Sequence, residues 1–184
     1  MLVLVTAPHA VCLNVLLRDC DRVSEMAARF IAESLKSQEL AVETFIGDLY
    51  RPKGDLNRRS TRATSYRRAL TQSMQLKPCV VLDIHSFPSS ESWREGTKSM
   101  IEVVILDNEP GQTTWVKTLV LYLKGKGVAT ESFVGATSND VVTEARSYGI
   151  PAVLIEFHEG LSQDRIHQIS SWVAAAVAQL SSCK

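Results

Sequence analysis

The sequence predicts an α/β fold in three layers, a mostly parallel, mixed central sheet with helices on both faces. Two observations carry this expectation. Short apolar runs alternate with longer amphipathic stretches, the pattern of strands joined by helices that pack back on the sheet. Several of the runs, Cys79–Ile84 (CVVLDI) above all, are apolar on both faces, as a strand covered from two sides must be. No repeat, low-complexity tract or linker divides the 184 residues, so residues 1–184 are expected to form one domain.

The elements follow in order. Leu2–Thr6 is aliphatic and β-branched, short enough for a buried strand. Asp21–Gln38 places Val23, Met26, Ala27, Phe30, Ile31 and Leu35 at helical spacing, with Asp19 or Asp21 as N-cap. Ala41–Ile46 is a second strand and Ser65–Gln75 a short, polar-faced helix. Cys79–Ile84 is the central strand, and Ile101–Leu106 another. Gln112–Lys124 is a helix stopped near Gly125 and Gly127, followed by the strand Val128–Val134. Asn139–Tyr148 is a helix with Gly149 as C-cap. Ala152–Phe157 is the last central strand, and Gln163–Leu180 closes the domain as an amphipathic helix.

Composition removes several function classes. Hydrophobic residues make up 45% and charged residues 22%, an ordinary globular balance. Lys+Arg and Asp+Glu are 20 each, which argues against a nucleic-acid partner. No apolar run approaches the ~18 residues of a membrane helix. Met1–Cys12 lacks a basic start and is interrupted by Pro8 and His9, a poor export signal. Cys12, Cys20, Cys79 and Cys183 fit no CxxC or zinc-finger spacing and read as reduced thiols in a cytoplasmic protein. Monomer and dimer fit the pattern equally.

Chemistry is expected in the loops after the carboxyl ends of strands, where open α/β sheets bind ligands. Two polar segments stand there, residues 47–64 (GDLYRPKGDLNRRSTRAT) and 86–98 (SFPSSESWREGTK). Three of the four histidines, His9, His85 and His158, fall at strand ends, and the fourth, His167, lies in the last helix. Imidazole is the commonest protein metal ligand, and catalytic zinc takes three protein ligands. Asp83 shares a strand face with His85 and either orients its ring or is a buried carboxylate satisfied by amides. In the basic loop, Arg58 offers a planar fork for a carboxylate, and the Asn57 amide can complete the clamp; a solvated basic loop is the bland alternative. Glu156 interrupts the apolar run AVLIEF. A carboxylate there needs a strong partner, or serves as a general base with Glu159 as a substitute. GxSxG, P-loop, GxGxxG and HExxH motifs are all missing.

Taken together, APHA at residues 7–10, GDLNR at 54–58, LDIHSFP at 82–88 and IEFHEG at 155–160 resemble the zinc-dependent exopeptidase superfamily. Within it they look most like the N-formylglutamate amidohydrolase family. The resemblance implies a zinc-exopeptidase or phosphorylase/hydrolase-like fold and one zinc ion per chain, held by His9, His85 and a carboxylate. It implies Asn57, Arg58 and Arg59 at the substrate's carboxylate and Glu156 assisting the attacking water. The carboxypeptidase branch pairs its first histidine with a Glu three residues later, where this chain has Cys12. Asp21 is the choice for third ligand, with Asp19 and Glu25 as alternatives and a Cys12 or Cys20 thiolate as a remoter one. Iron, cobalt or manganese also suits two histidines and a carboxylate. The activity implied is hydrolysis of an amide bond beside a free carboxylate in a small N-formyl or N-acyl amino acid. The alternatives are a carboxypeptidase-like enzyme on small peptides, including cell-wall fragments, and a non-catalytic binding member of the same fold.

Overall fold

A computed structural model describes residues 1–12, 20–49, 53–88, 101–107, 114–134 and 140–180. Six strands, β1 (Leu2–Ala7), β2 (Ala41–Ile46), β3 (Val80–Phe87), β4 (Val103–Asp107), β5 (Thr130–Val134) and β6 (Ala152–His158), form a sheet in the order β2-β1-β3-β6-β4-β5. All neighbours run parallel except β4 and β6, so β4 and β5 point against the other four. Five helices cover the sheet: α1 (Ser24–Lys36), α2 (Ser65–Gln75), α3 (Thr114–Gly125), α4 (Asp140–Ser147) and α5 (Gln163–Ala178).

Strand alternation divides the core in two. Val3, Val5, Leu82, Ile84, Ile155 and Phe157 face α1, α3 and α5, whose Ile31, Leu35, Leu119, Leu123, Ile169 and Val173 meet them. Leu4, Val81 and Leu154 face the other way, against Leu70 and Met74 of α2 and Val141 and Ala145 of α4. Each fully buried aliphatic side chain in these layers stabilises by about 1.5–3 kcal/mol relative to exposure. On the α2/α4 face the apolar pattern stops toward the carboxyl ends of β1, β3 and β6. The next residues of the same alternation are Thr6, Asp83, His85 and Glu156. One sheet face is therefore oily at one end and polar at the other.

Two sequence expectations shift. β3 runs on to Phe87 because β6 keeps pairing with it, Ser86 with Phe157 and Phe87 with His158, so His85 lies inside the strand rather than after it. α1 begins at Ser24, with Val23 at the N-cap position making no side-chain cap bond, because the Asp21 carboxylate turns toward histidines instead. Asp19, the other candidate cap, lies outside the described residues, as do Asn139 and the segment 89–100 that holds most of the second polar loop. Gly149 does take the left-handed conformation (φ 75°) expected of a C-cap. Gly47 is needed for a different reason. Its N–H donates to the Ala7 carbonyl at 2.8 Å, and a Cβ there would lie 2.1 Å from the Pro8 carbonyl oxygen.

The cysteine reading is corrected. Cys12 and Cys20 form a disulfide with Cα atoms 5.2 Å apart, and Cys79 is disulfide-bonded too. Asp21 N–H donates to the His9 carbonyl at 3.0 Å, which returns the chain on itself and brings the two sulfurs together. Spacing alone hides such a closure. Disulfides persist in oxidising compartments, so the thiol argument for the cytoplasm is lost. Among the described residues, no helix is long and apolar enough to cross a membrane.

Candidate metal centre

β1 ends two residues short of His9, β3 carries His85, and the segment entering α1 carries Asp21. These three meet. Asp21 Oδ2 lies 2.7 Å from His85 Nδ1 and 3.3 Å from His9 Nδ1, and the rings stand edge to face with centroids 4.8 Å apart. The three side chains are buried, and each offers a ligand atom within 4.8 Å of the others. His9 Nδ1 is buried and makes no hydrogen bond, although it points toward the space shared with Asp21 and His85.

The far nitrogens are held. His9 Nε2–H donates to Asp55 Oδ1 at 2.6 Å, and His85 Nε2–H donates to Asp83 Oδ2 at 3.1 Å. Those bonds fix both ring orientations and aim both Nδ1 atoms inward, the arrangement by which carboxylates orient metal-binding histidines. His85 Nδ1–H donates to Asp21 Oδ2 at 2.7 Å, and a bound ion would take the place of that proton. Asn57 Nδ2 donates to Asp83 Oδ2 at 3.3 Å, and Thr6 Oγ1 donates to Asp83 Oδ1. Asp55 in turn accepts the Asn57 N–H at 2.9 Å and Arg58 Nε at 3.1 Å.

Electrostatics fit a cation. Burial alone would raise the Asp21 pKa, but His85 and His9 outweigh it and hold the carboxyl well below the usual range. Burial alone would lower the His85 pKa, but Asp83 and Asp21 push it well above the ordinary imidazole value. Asp21, Asp55 and Asp83 stand together here with the Arg58 guanidinium on Asp55, so the cluster favours positive charge at its centre, as the proton on His85 or as a divalent ion in its place. Two imidazoles and a carboxylate are a donor set that zinc accepts.

Neither a protein-family model nor a curated protein matches the sequence. Solved structures do match. Over 100% of this chain and 99% of the other, it superposes on the catalytic domain of CwlV, an N-acetylmuramoyl-L-alanine amidase from Bacillus (Paenibacillus) polymyxa var. colistinus, with TM-score 0.63 and 14% identity. The amidase AmiC2 of Nostoc punctiforme gives 0.63 at 11% identity, covering 97% of this chain and 96% of that one. Gene product Atu2144 from Agrobacterium tumefaciens gives 0.64 at 16%, covering 97% and 89%. What these proteins share with this chain is the fold.

On this fold the other expected residues fall as follows. Glu156 is half-buried on β6, in register with His85 and on the same sheet face. Asn57 is buried with its amide on Asp83, and its side-chain carbonyl accepts the Val141 N–H at 3.2 Å. Arg58 is part-exposed and braced on Asp55, and Arg59 is exposed at the start of a 3-10 turn. Glu25, the alternative third ligand, sits in the first turn of α1, paired with Arg29 at 2.8 Å, whereas Asp21 is the carboxylate grouped with His9 and His85. Asp19 lies outside the described residues. Glu159 accepts the Arg22 N–H and the Ser86 hydroxyl, each at 3.1 Å, so it braces the segment behind Asp21. His158 Nδ1 accepts the Gly160 N–H, and His167 packs edge-on against Phe30.

Two residues escaped the sequence reading. Asp55 entered the sequence reading only as a letter of the GDLNR string, with no role of its own, and its link to His9 depends on β2 lying beside β1. Thr6 was one polar side chain at the end of an aliphatic strand, a faint signal of a polar partner next door. The loop bearing Asp55 and Asn57 is itself fixed from two helices. The fully buried Arg67 of α2 donates to the Leu56 carbonyl at 3.0 Å and to Asp140 and Glu144 of α4, while the Asp140 N–H donates to the Asn57 carbonyl at 3.3 Å.

Proposed function

We propose that this protein is a zinc-dependent amidohydrolase that cleaves an amide bond beside a free carboxylate, with His9, Asp21 and His85 holding one zinc ion per chain. One observation carries the reading: two buried histidines, each tied to a carboxylate through Nε2, turn Nδ1 toward a third buried carboxylate. Zinc bound there lowers the pKa of a water to about 7 and polarises a carbonyl.

The chain's own residues do the rest. Glu156, level with His85 on the neighbouring strand, accepts a proton from the attacking water on its carboxylate and returns it to the leaving amine. Asp55 and Asp83 keep the rings from turning. Arg58, steadied through Nε by Asp55, binds the substrate's carboxylate with Arg59 and Asn57 beside it; Asn57 does so from a side chain that also holds Asp83. Small N-formyl or N-acyl amino acids present that pairing of amide and carboxylate.

The structural neighbours favour a second substrate class, the amide of an N-acetylmuramoyl-L-alanine unit, which their names specify. The Cys12–Cys20 disulfide supports an oxidising compartment over the cytoplasm, and such a place suits a cell-wall fragment. The zero net charge gives no support to a nucleic-acid partner.

The test is metal content of purified, untagged protein beside His85→Ala, followed by both amide classes as substrates. About one zinc per chain, lost in the variant, supports the reading, and no zinc in either protein defeats it. Glu156→Gln is expected to retain the metal and to lower kcat by about 10²–10⁴-fold; unchanged turnover would remove Glu156 from the mechanism.

A further inference from the structure

Cys12 and Cys20 close a loop whose two ends both lie at the metal centre. Cys12 follows His9 by three positions, and Cys20 immediately precedes Asp21. Between these ends the backbone makes the Asp21 N–H to His9 carbonyl bond. Helix α1 gives Asp21 no seat of its own, since the helix starts only at Ser24 and its N-cap side chain makes no bond. Downstream, the Arg22 N–H is held by Glu159, and the Ser24 hydroxyl donates to the Asp21 carbonyl at 2.9 Å. Upstream, the described contacts that secure Asp21 are the His9 backbone bond and the disulfide at Cys20.

We propose that the Cys12–Cys20 disulfide is a working part of the metal centre, which holds the Asp21 carboxylate against His9 and His85 and keeps two competing thiolates from the ion. This inference rests on the zinc reading above. While the sulfurs are bonded to each other, neither offers a thiolate, and the ligand set is two nitrogens and one oxygen. Reduction changes both conditions. A phosphine attacks the disulfide, the S–S bond breaks, and the two sulfurs gain two electrons. Water supplies two protons to the thiols and its oxygen to the phosphine oxide. Asp21 then keeps only the His9 backbone bond of its two upstream tethers, and Cys20, its chain neighbour, becomes a soft ligand that zinc and cobalt bind readily once ionised.

The experiment measures zinc affinity by competition with a chromogenic chelator, and ligand type from the cobalt(II) spectrum. It compares oxidised wild type, wild type reduced with a phosphine, and Cys12→Ser/Cys20→Ser. The double variant is expected to bind zinc tenfold or more weaker than oxidised wild type, the size of effect seen when the residues that orient a metal ligand are removed. Its cobalt spectrum should lack a sulfur charge-transfer band, and reduced wild type should gain one. Circular dichroism at the same temperature confirms that each form is folded, and the reduced wild type serves if the double variant does not fold. Equal zinc affinity in the variant, with no sulfur band on reduction, overturns the proposal and leaves the zinc reading standing. No zinc uptake by oxidised wild type overturns both.

Discussion

Asp55 shows what one side chain outside the candidate ligand set can decide. It holds the outward nitrogen of His9 at 2.6 Å and steadies Arg58 with its other oxygen, so in the proposed reading it serves metal side and substrate side together. Asp55→Ala is therefore expected to weaken zinc binding by about 10–100-fold and also to raise KM. Chelator competition and steady-state kinetics read the two effects separately, and an unchanged metal affinity would leave Asp55 only the Arg58 task. The pairing of Asp83 with His85 was legible in the sequence, because residues two apart on a strand share a face. Asp55 was not, since its partner sits 46 positions away on a neighbour fixed by strand order. Asp21 stood among several nearby acids, and the chain's return at His9, which no local pattern encodes, sets it apart from Glu25.

Helices α2 and α4 act on the centre without touching it. The fully buried Arg67 reaches from α2 to the Leu56 carbonyl and to Asp140 and Glu144 of α4, which it shares with the part-exposed Arg62. Arg67→Met removes that charge, strands the Leu56 carbonyl and leaves Arg62 beside the two carboxylates, so it is expected to cost about 1–3 kcal/mol in urea unfolding, the penalty for buried polar groups left unmatched. A loss below about 1 kcal/mol would mean that water reaches the pair. At the far edge, Arg165 of α5 binds Glu102 at the entry to β4 and lowers its carboxyl pKa below 4.5. A depressed carboxyl stabilises the fold above its unfolded value and loses that contribution as pH falls through its folded value. Wild type should thus lose more melting temperature than Glu102→Gln as pH drops from about 5 to about 3; parallel curves would deny the ion pair any part in acid stability. Most helices were legible from periodicity, and Ser65–Gln75 agrees to the residue. The start of α1 was not, because the acid that looked like its cap turns to the histidines.

At the scale of the molecule, the α2/α4 face of the sheet grades from Leu4, Val81 and Leu154 to Thr6, Asp83, His85 and Glu156. The apolar end holds the polar end rigid, and the polar end concentrates like charge that a divalent ion relieves. Stripping zinc from a zinc-loaded preparation is therefore expected to lower the melting temperature. Zinc present at a hundred times its dissociation constant stabilises by about 2.7 kcal/mol, which calorimetry with and without chelator would detect. An identical melting curve would mean that the cluster needs no cation. The three-layer class and mostly parallel sheet could be read from the alternation of runs. The strand order, the reversal of β4 and β5 and the disulfides could not, because each is a choice among long-range partners that the same local pattern allows.

Gly47 carries no functional group, yet it sits where β2's exit leans on the peptide just ahead of His9. Any side chain there would displace a backbone carbonyl, and that carbonyl belongs to the residue next to a candidate ligand. In a library of random substitutions, this silent position should tolerate as little change as the histidine it abuts.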